Sequence, residues 1–150
     1  MPVQYTEDGD NKSPPLQWSD APNGVKSFAL LCEDPDAPSP KNPNPDPWVH
    51  WVAYNIPAQT KELPEGLPRQ AQLQEPAGAM QGINSWPSDN VGYRGPAPPA
   101  GSGGHRYIFR LLAIDTQLQP SAKSVTRKAL LDEIRNHVLG EAKLIVTYDR

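Results

Sequence analysis

Apolar residues in this chain gather into short runs, set apart by long polar intervals broken by proline and glycine. The first run, Val25 to Glu33 (VKSFALLCE), is continuously apolar through its middle, the pattern of a strand buried on both faces. The second, Trp48 to Ile56 (WVHWVAYNI), reads as a strand that sets His50, Val52 and Tyr54 against Trp51, Ala53 and Asn55, with Pro57 as its stop. The third, His105 to Ile114 (HRYIFRLLAI), places His105 and Tyr107 on one face and Arg106 on the other. From Val125 the period changes. Leu130, Ile134 and Val138 fall on one helical stripe, Thr126 is the N-cap and Gly140 the C′ stop, which predicts a helix over Val125 to Leu139. Ala142 to Tyr148 (AKLIVTY) then closes the chain as a strand.

The intervals are as informative as the runs. Residues 1–24 carry turn chemistry (EDGDN, SPPLQW, DAPNG), with Trp18 as the anchor of this loop on the core. Ser39 to Pro47 (SPKNPNPDP) is too rich in proline for anything but an extended loop. Residues 58–91 show no sustained period and predict short edge strands or loops. Gly92 to Gly104 is dense in glycine and proline and feeds directly into His105, a rigid loop above a strand start. Several strands and one late helix predict a single domain over residues 1–150, mainly β, an antiparallel β-sandwich of Greek-key type with one or two short helices.

Composition narrows the function more than the fold. With 150 residues the chain can bury a real core, and 19 prolines with 11 glycines make it loop-rich. A formal charge of −3 and no basic run remove the electrostatic footprint of nucleic-acid binding. The single cysteine, Cys32 in FALLC, allows no internal disulfide and reads as a buried core thiol. The start MPVQYTEDGDNKS has neither the basic nor the apolar part of a signal peptide, and no apolar stretch approaches the ~20 residues of a membrane span. A cytoplasmic location is the expectation.

Three constellations carry candidate chemistry. In Asp34-Pro35-Asp36-Ala37-Pro38, two carboxylates past a strand end could orient a histidine, hold a cation or do acid–base work; the plainer reading is an Asx-turn stiffened by proline. In Trp48-Val49-His50-Trp51, the histidine gains interest from its pairing with His105, since each adjoins a proline- or glycine-rich loop. In Pro98-Pro99-Ala100-Gly101-Ser102-Gly103-Gly104-His105, glycines let backbone N–H groups converge on an anion, although the P-loop ending is absent. A Ser-His-Asp triad can be drawn from Ser102 or Ser85, His50 or His105, and Asp34, but there is no Gly-x-Ser-x-Gly elbow and the glycines around Ser102 argue for a loose backbone. Asp8, Asp10 and Asn11 lack the downstream acidic ligand of a calcium loop. The spacing of His50, His105 and His137 matches no zinc signature, and His137 reads as a dipole contact at the helix end. Neither a metal nor a cofactor is expected.

DPDAP, WVHWVAYNIP and GPAPPAGSGGHRYIF, in this order, resemble the phosphatidylethanolamine-binding protein family, which includes the Raf kinase inhibitor proteins. YTEDGDNKSPPLQW, QGINS, GYRGP and HVLGEAKLIVTYDR are similar to its short bacterial and archaeal branch, so the resemblance spans nearly the whole chain. It implies a β-sandwich with a small pocket for anions and phospholigands, including phosphoethanolamine, and no enzymatic activity. It assigns ligand binding to Asp34, His50, His105 and Tyr107, with Pro98 and Pro99 at the rim and Asp36 and Trp48 in the wall. It also implies cis peptides near DPDAP, with Ala37–Pro38 and Asp46–Pro47 as the candidates. A kinase or protease partner and a homodimer are further implications. Two alternatives stay open, inhibition of a serine protease or kinase through surface loops, and weak phosphoester hydrolysis. Departures are a missing or shortened opening strand, no C-terminal helix over the pocket, and Ala97 where many microbial relatives carry cysteine.

Overall fold

A computed structural model describes residues 1–119 and 124–150. Its centre is a five-stranded antiparallel sheet built from β2 (Ser27–Asp34), β3 (Trp48–Pro57), β5 (Met80–Gln81), β6 (His105–Ile114) and β7 (Val138–Tyr148), in the order β5-β3-β2-β6-β7. A second, two-stranded antiparallel sheet pairs β1 (Leu16–Gln17) with β4 (Glu62–Leu63). The architecture is mainly β, with one α-helix among the described residues, α1 (Arg127–Ile134).

β2 is flanked by strands on both edges and covered on both faces, so every one of its residues is buried. That is why its apolar run is continuous rather than alternating. One face of the large sheet carries Phe28, Leu30, Cys32, Trp51, Tyr107 and Phe109, against which Leu16, Leu63, Leu73 and Tyr93 pack from the small sheet and the loops. The other face carries Ala29, Leu31, Val52, Tyr54, Leu112 and Ile114, and α1 seals it with Leu130 and Ile134. Trp18 does anchor the N-terminal loop, packing edge-on against Phe28 at 5.5 Å between ring centroids.

Two sequence expectations need correction. The helix is shorter than Val125 to Leu139. Thr126 does cap it, accepting from the Ala129 amide at 3.1 Å, but the chain turns after Ile134, where the His137 amide donates to the Ile134 carbonyl. Val138 and Gly140 are instead paired with Ile114 and Ala113 of β6, so Gly140 lies inside a strand and β7 starts well before Ala142. Ladder bonds along β6 outweigh continuing the helix to Leu139. His137 accordingly bonds Asp115 Oδ1 through Nδ1 at 2.7 Å rather than facing a helix end.

The second correction concerns β3. Cys32 pairs with Trp51 but Glu33 pairs with Val49, so His50 is the extra residue of a β-bulge. The bulge interrupts alternation. His50 comes onto the side of Trp51 and Tyr107, and Val49 joins Val52 on the helix side. His50 therefore does not share a face with Val52 and Tyr54. The Ala37–Pro38 peptide is cis, as is Glu75–Pro76, whereas Asp46–Pro47 is not.

Candidate functional site

The site lies where β2 ends, β3 begins and β6 begins, at one end of the large sheet. Antiparallel pairing brings Asp34 opposite Trp48 on one side, and Glu33 opposite Ile108 on the other, so the first residues of β6 lie beside the last of β2. Asp34 divides its carboxylate between the two roles that its sequence context left open. Oδ1 accepts the Asp36 amide at 2.8 Å, an Asx-turn, while Oδ2 accepts from His105 Nδ1 at 2.8 Å. Burial pushes its pKa up, opposed by those hydrogen bonds from His105 and the Asp36 amide.

His105 is 1% exposed. Since Asp34 takes its Nδ1–H, its Nε2 is the acceptor for the Ser102 hydroxyl at 3.0 Å. His50 is equally buried but differently held. Its Nδ1–H donates to the Arg94 carbonyl at 2.6 Å, and its own carbonyl accepts the Arg94 amide at 2.9 Å. No carboxylate faces it, so burial dominates and lowers its pKa to about 4. Tyr107 stands between the two imidazoles, edge-on to His50 at 5.1 Å and stacked on His105 at 6.5 Å between ring centroids. Burial raises its phenol pKa, so the hydroxyl stays protonated at neutral pH.

These groups line a cleft of about 460 Å³. Of the residues singled out by sequence, Asp34, Trp48, His50, Pro98, Pro99, His105 and Tyr107 surround it. Asp36 does not. Its carboxylate is taken by Arg106, which donates from its backbone amide, from Nε at 2.9 Å and from its terminal nitrogen at 2.8 Å, and this guanidinium holds the Asp36 carboxyl below its ordinary range. Asp36 positions the start of β6 and, through its amide, Asp34.

The sequence reading missed Glu7, Asn44, Trp86 and Arg150, which complete the wall. Trp86 meets Trp48 and His50 edge-on at 5.3 and 5.1 Å and carries the Arg94 guanidinium 4.8 Å above its ring. Glu7 is brought in by its amide bond to the Pro96 carbonyl and is ion-paired with Arg94. Arg150 pairs with Asp8, and its carbonyl accepts the Gly101 amide at 3.0 Å. The only local signal was an aromatic residue inside a polar loop, Trp86 in NSWPSD. The ion-paired residues come from opposite ends of the chain and leave none.

Chemically, the cleft has carboxylates at Asp34 and Glu7, a guanidinium at Arg150, two imidazoles and a phenol, bounded by tryptophan and proline. Among the described residues no group of three or more His, Cys, Asp or Glu could hold a metal ion, and no helix is long and apolar enough to cross a membrane.

Comparison with known proteins places this geometry. The family model described as phosphatidylethanolamine-binding protein matches residues 1–149. The UPF0098 protein of Methanothermobacter thermautotrophicus is 48% identical over 152 residues, covering 100% of this chain and 91% of its own. That of Aquifex aeolicus is 39% identical, covering 100% of this chain and 81% of its own. The crystal structure of a phosphatidylethanolamine-binding protein homologue from Chlamydia trachomatis superposes with a TM-score of 0.82 at 36% identity, over 99% of this chain and 88% of that one. E. coli YbcL, described as a member of the mammalian PEBP family, follows with 0.81 at 32% identity, over 95% and 83%. The chain belongs to the phosphatidylethanolamine-binding protein family.

Proposed function

We propose that this protein binds a small phosphate-bearing ligand in the cleft, that binding rather than turnover is its activity, and that the ligand carries a hydrogen-bond donor beside its phosphate oxygens. The observation that carries this reading is the state of His50. Its Nδ1–H is committed to the Arg94 carbonyl and burial keeps the ring neutral, which leaves Nε2 as an acceptor with no protein partner among the described residues. A neutral acceptor at the wall suits a protonated phosphate, or an ammonium group, better than a fully ionised anion. Both signs are present at the wall, since Asp34 and Glu7 bring carboxylates and Arg150, paired with Asp8, brings a guanidinium. A zwitterion such as phosphoethanolamine supplies both signs. Its phosphate oxygens accept from the Tyr107 hydroxyl and Arg150, while its ammonium lies toward a carboxylate. Trp48, Trp86, Pro98 and Pro99 give the apolar rim.

The test is to titrate phosphoethanolamine, inorganic phosphate and sulfate into labelled protein at pH 7 and follow amide shifts by NMR. Shifts are expected around Asp34, Trp48 to His50, Trp86 and Ala97 to Tyr107, in the order phosphoethanolamine, phosphate, sulfate, and should vanish in the folded His50→Ala/His105→Ala double variant. Sulfate lacks a donor, so binding as strong as that of phosphate overturns the role given to His50. Silence with all three overturns the reading as a whole and leaves a protein partner on the proline-rich loops as its replacement.

A further inference from the structure

Beside the cleft lies an arrangement that ligand binding does not require. Ser102 Oγ lies 3.0 Å from His105 Nε2, His105 Nδ1 lies 2.8 Å from Asp34 Oδ2, and Asp34 Oδ1 is fixed at 2.8 Å by the Asp36 amide. This is a hydroxyl, an imidazole and a carboxylate linked in series, with the last two buried and Ser102 half-exposed. In that order the carboxylate fixes the ring tautomer and the ring is left to accept the hydroxyl proton.

The loop is better defined than its glycines suggest. The Ser102 amide donates to the Pro99 carbonyl and the Gly101 amide to the Arg150 carbonyl, each at 3.0 Å. Gly101 and Gly103 on either side of the serine have φ of 74° and 98°, left-handed conformations that reverse the chain sharply at Ser102. A β-carbon added at Gly101, Gly103 or Gly104 would meet no atom within 4 Å, so these glycines border open space. The amides of Gly103 and Gly104 have no acceptor among the described residues and remain available as donors.

We infer that Ser102 is an activated nucleophile that takes an acyl or phosphoryl group from an activated ester, with His105 as its base and Asp34 as the group that orients His105. In the step, Ser102 Oγ attacks the carbonyl carbon or phosphorus and the new O–C or O–P bond forms. The hydroxyl proton passes to His105 Nε2, the bond to the leaving oxygen breaks, and His105 returns the proton to that oxygen. Asp34 stays ionised throughout. The product is Ser102 carrying the transferred group and one equivalent of free alcohol, so the serine is a covalent modification site even without turnover. This goes beyond the proposed binding activity and does not depend on the cleft retaining a free phosphate.

The experiment treats the full chain with a fluorophosphonate probe, in which an Oγ–P bond forms, the P–F bond breaks and fluoride leaves with the proton. Intact mass and peptide mapping give the site, and the time course gives the rate. One adduct at Ser102 is expected, lost in Ser102→Ala and slowed about a hundredfold in His105→Gln. The wild-type rate should not track hydroxide concentration, because His105 and not hydroxide takes the hydroxyl proton. An ordinary surface serine would instead keep accelerating about tenfold per pH unit, because hydroxide makes its alkoxide, and that profile overturns the inference whether or not His105→Gln folds. An adduct at Ser85, no adduct on folded protein, or an unchanged rate in His105→Gln also overturns it. If phosphoethanolamine fails to bind while Ser102 still labels, the binding proposal falls and this one stands.

Discussion

Glu33 and Asp34 are neighbours at the end of β2, both buried, and their surroundings divide sharply. Glu33 faces the helix side, between Arg127 Nε at 2.5 Å and an Arg110 terminal nitrogen at 3.4 Å, while Glu141 takes the Arg110 Nε at 2.7 Å. Asp34 faces the cleft and meets a single imidazole and one backbone amide. Two guanidiniums hold charge permanently and leave the carboxylate nothing to exchange. An imidazole offers a second ring nitrogen to another partner, so the carboxylate that orients it belongs to the candidate site. One strand end thus supplies a clamp on one face of the sheet and a site on the other, and partner type separates them, since burial does not.

The largest effect expected from this contrast is on stability at Glu33. Glu33→Gln leaves the guanidiniums of Arg110 and Arg127 facing a neutral amide in a mostly buried setting, and breaking such a pair from one side costs about 3–4 kcal/mol. Urea unfolding of the variant should show that loss with an unchanged m-value, while ligand binding persists in the folded fraction. A loss under about 1 kcal/mol would mean that the cluster is solvated and that the clamp description is wrong.

The next effect in size belongs to His50. The unfolded chain protonates this ring near 6.5, whereas the native state resists until about 4. Below pH 6.5 the unfolded state therefore binds more protons, and stability falls as pH falls, with the full contribution present above 6.5 and exhausted near 4. At about 1.4 kcal/mol per pH unit that window is worth about 3 kcal/mol. Unfolding free energies measured from pH 7 to 4 should show this slope in the wild type and lose most of it in His50→Gln. An identical slope in both would place the acid sensitivity elsewhere.

The same two faces explain what could be read from the chain before folding. β2, β3 and β6 were legible because strands covered on both faces leave long aromatic and branched runs, and the ends of β6 match the run His105 to Ile114. Asp34, His50, His105 and Tyr107 were grouped by the family resemblance, and the meeting of three strand ends is what places them around one cleft. The side on which His50 lies was not legible, since a single bulged residue reverses the alternation without any local mark. Nor were the limits of α1 and β7, where pairing with β6 takes Val138 and Gly140 out of a helical pattern. Glu7 is set by Pro96 and Arg94, and Arg150 by Asp8 and Gly101, each partner far away along the chain, and Glu33 looked like the polar end of an apolar run until Arg110 and Arg127 were brought to it.

The smallest stability change should fall on the carboxylate at the candidate site. Asp34→Asn keeps an oxygen for one of the two donors and a side chain of the same shape, so the lost bond costs about 1 kcal/mol. The native pKa of Asp34 lies above its ordinary value because burial penalises the charge, so at neutral pH its ionised form weighs against the fold, and neutral asparagine removes that penalty. Thermal unfolding at pH 7 should therefore move by only a few degrees, far less than in Glu33→Gln. His105 loses its fixed tautomer in the same variant, because an amide can donate to Nδ1 as readily as accept from it. Ser102 labelling and ligand-induced shifts at His105 should both collapse in a protein that is almost as stable as the parent. A large stability loss with labelling intact would make Asp34 a clamp like Glu33 and erase the distinction between the two faces.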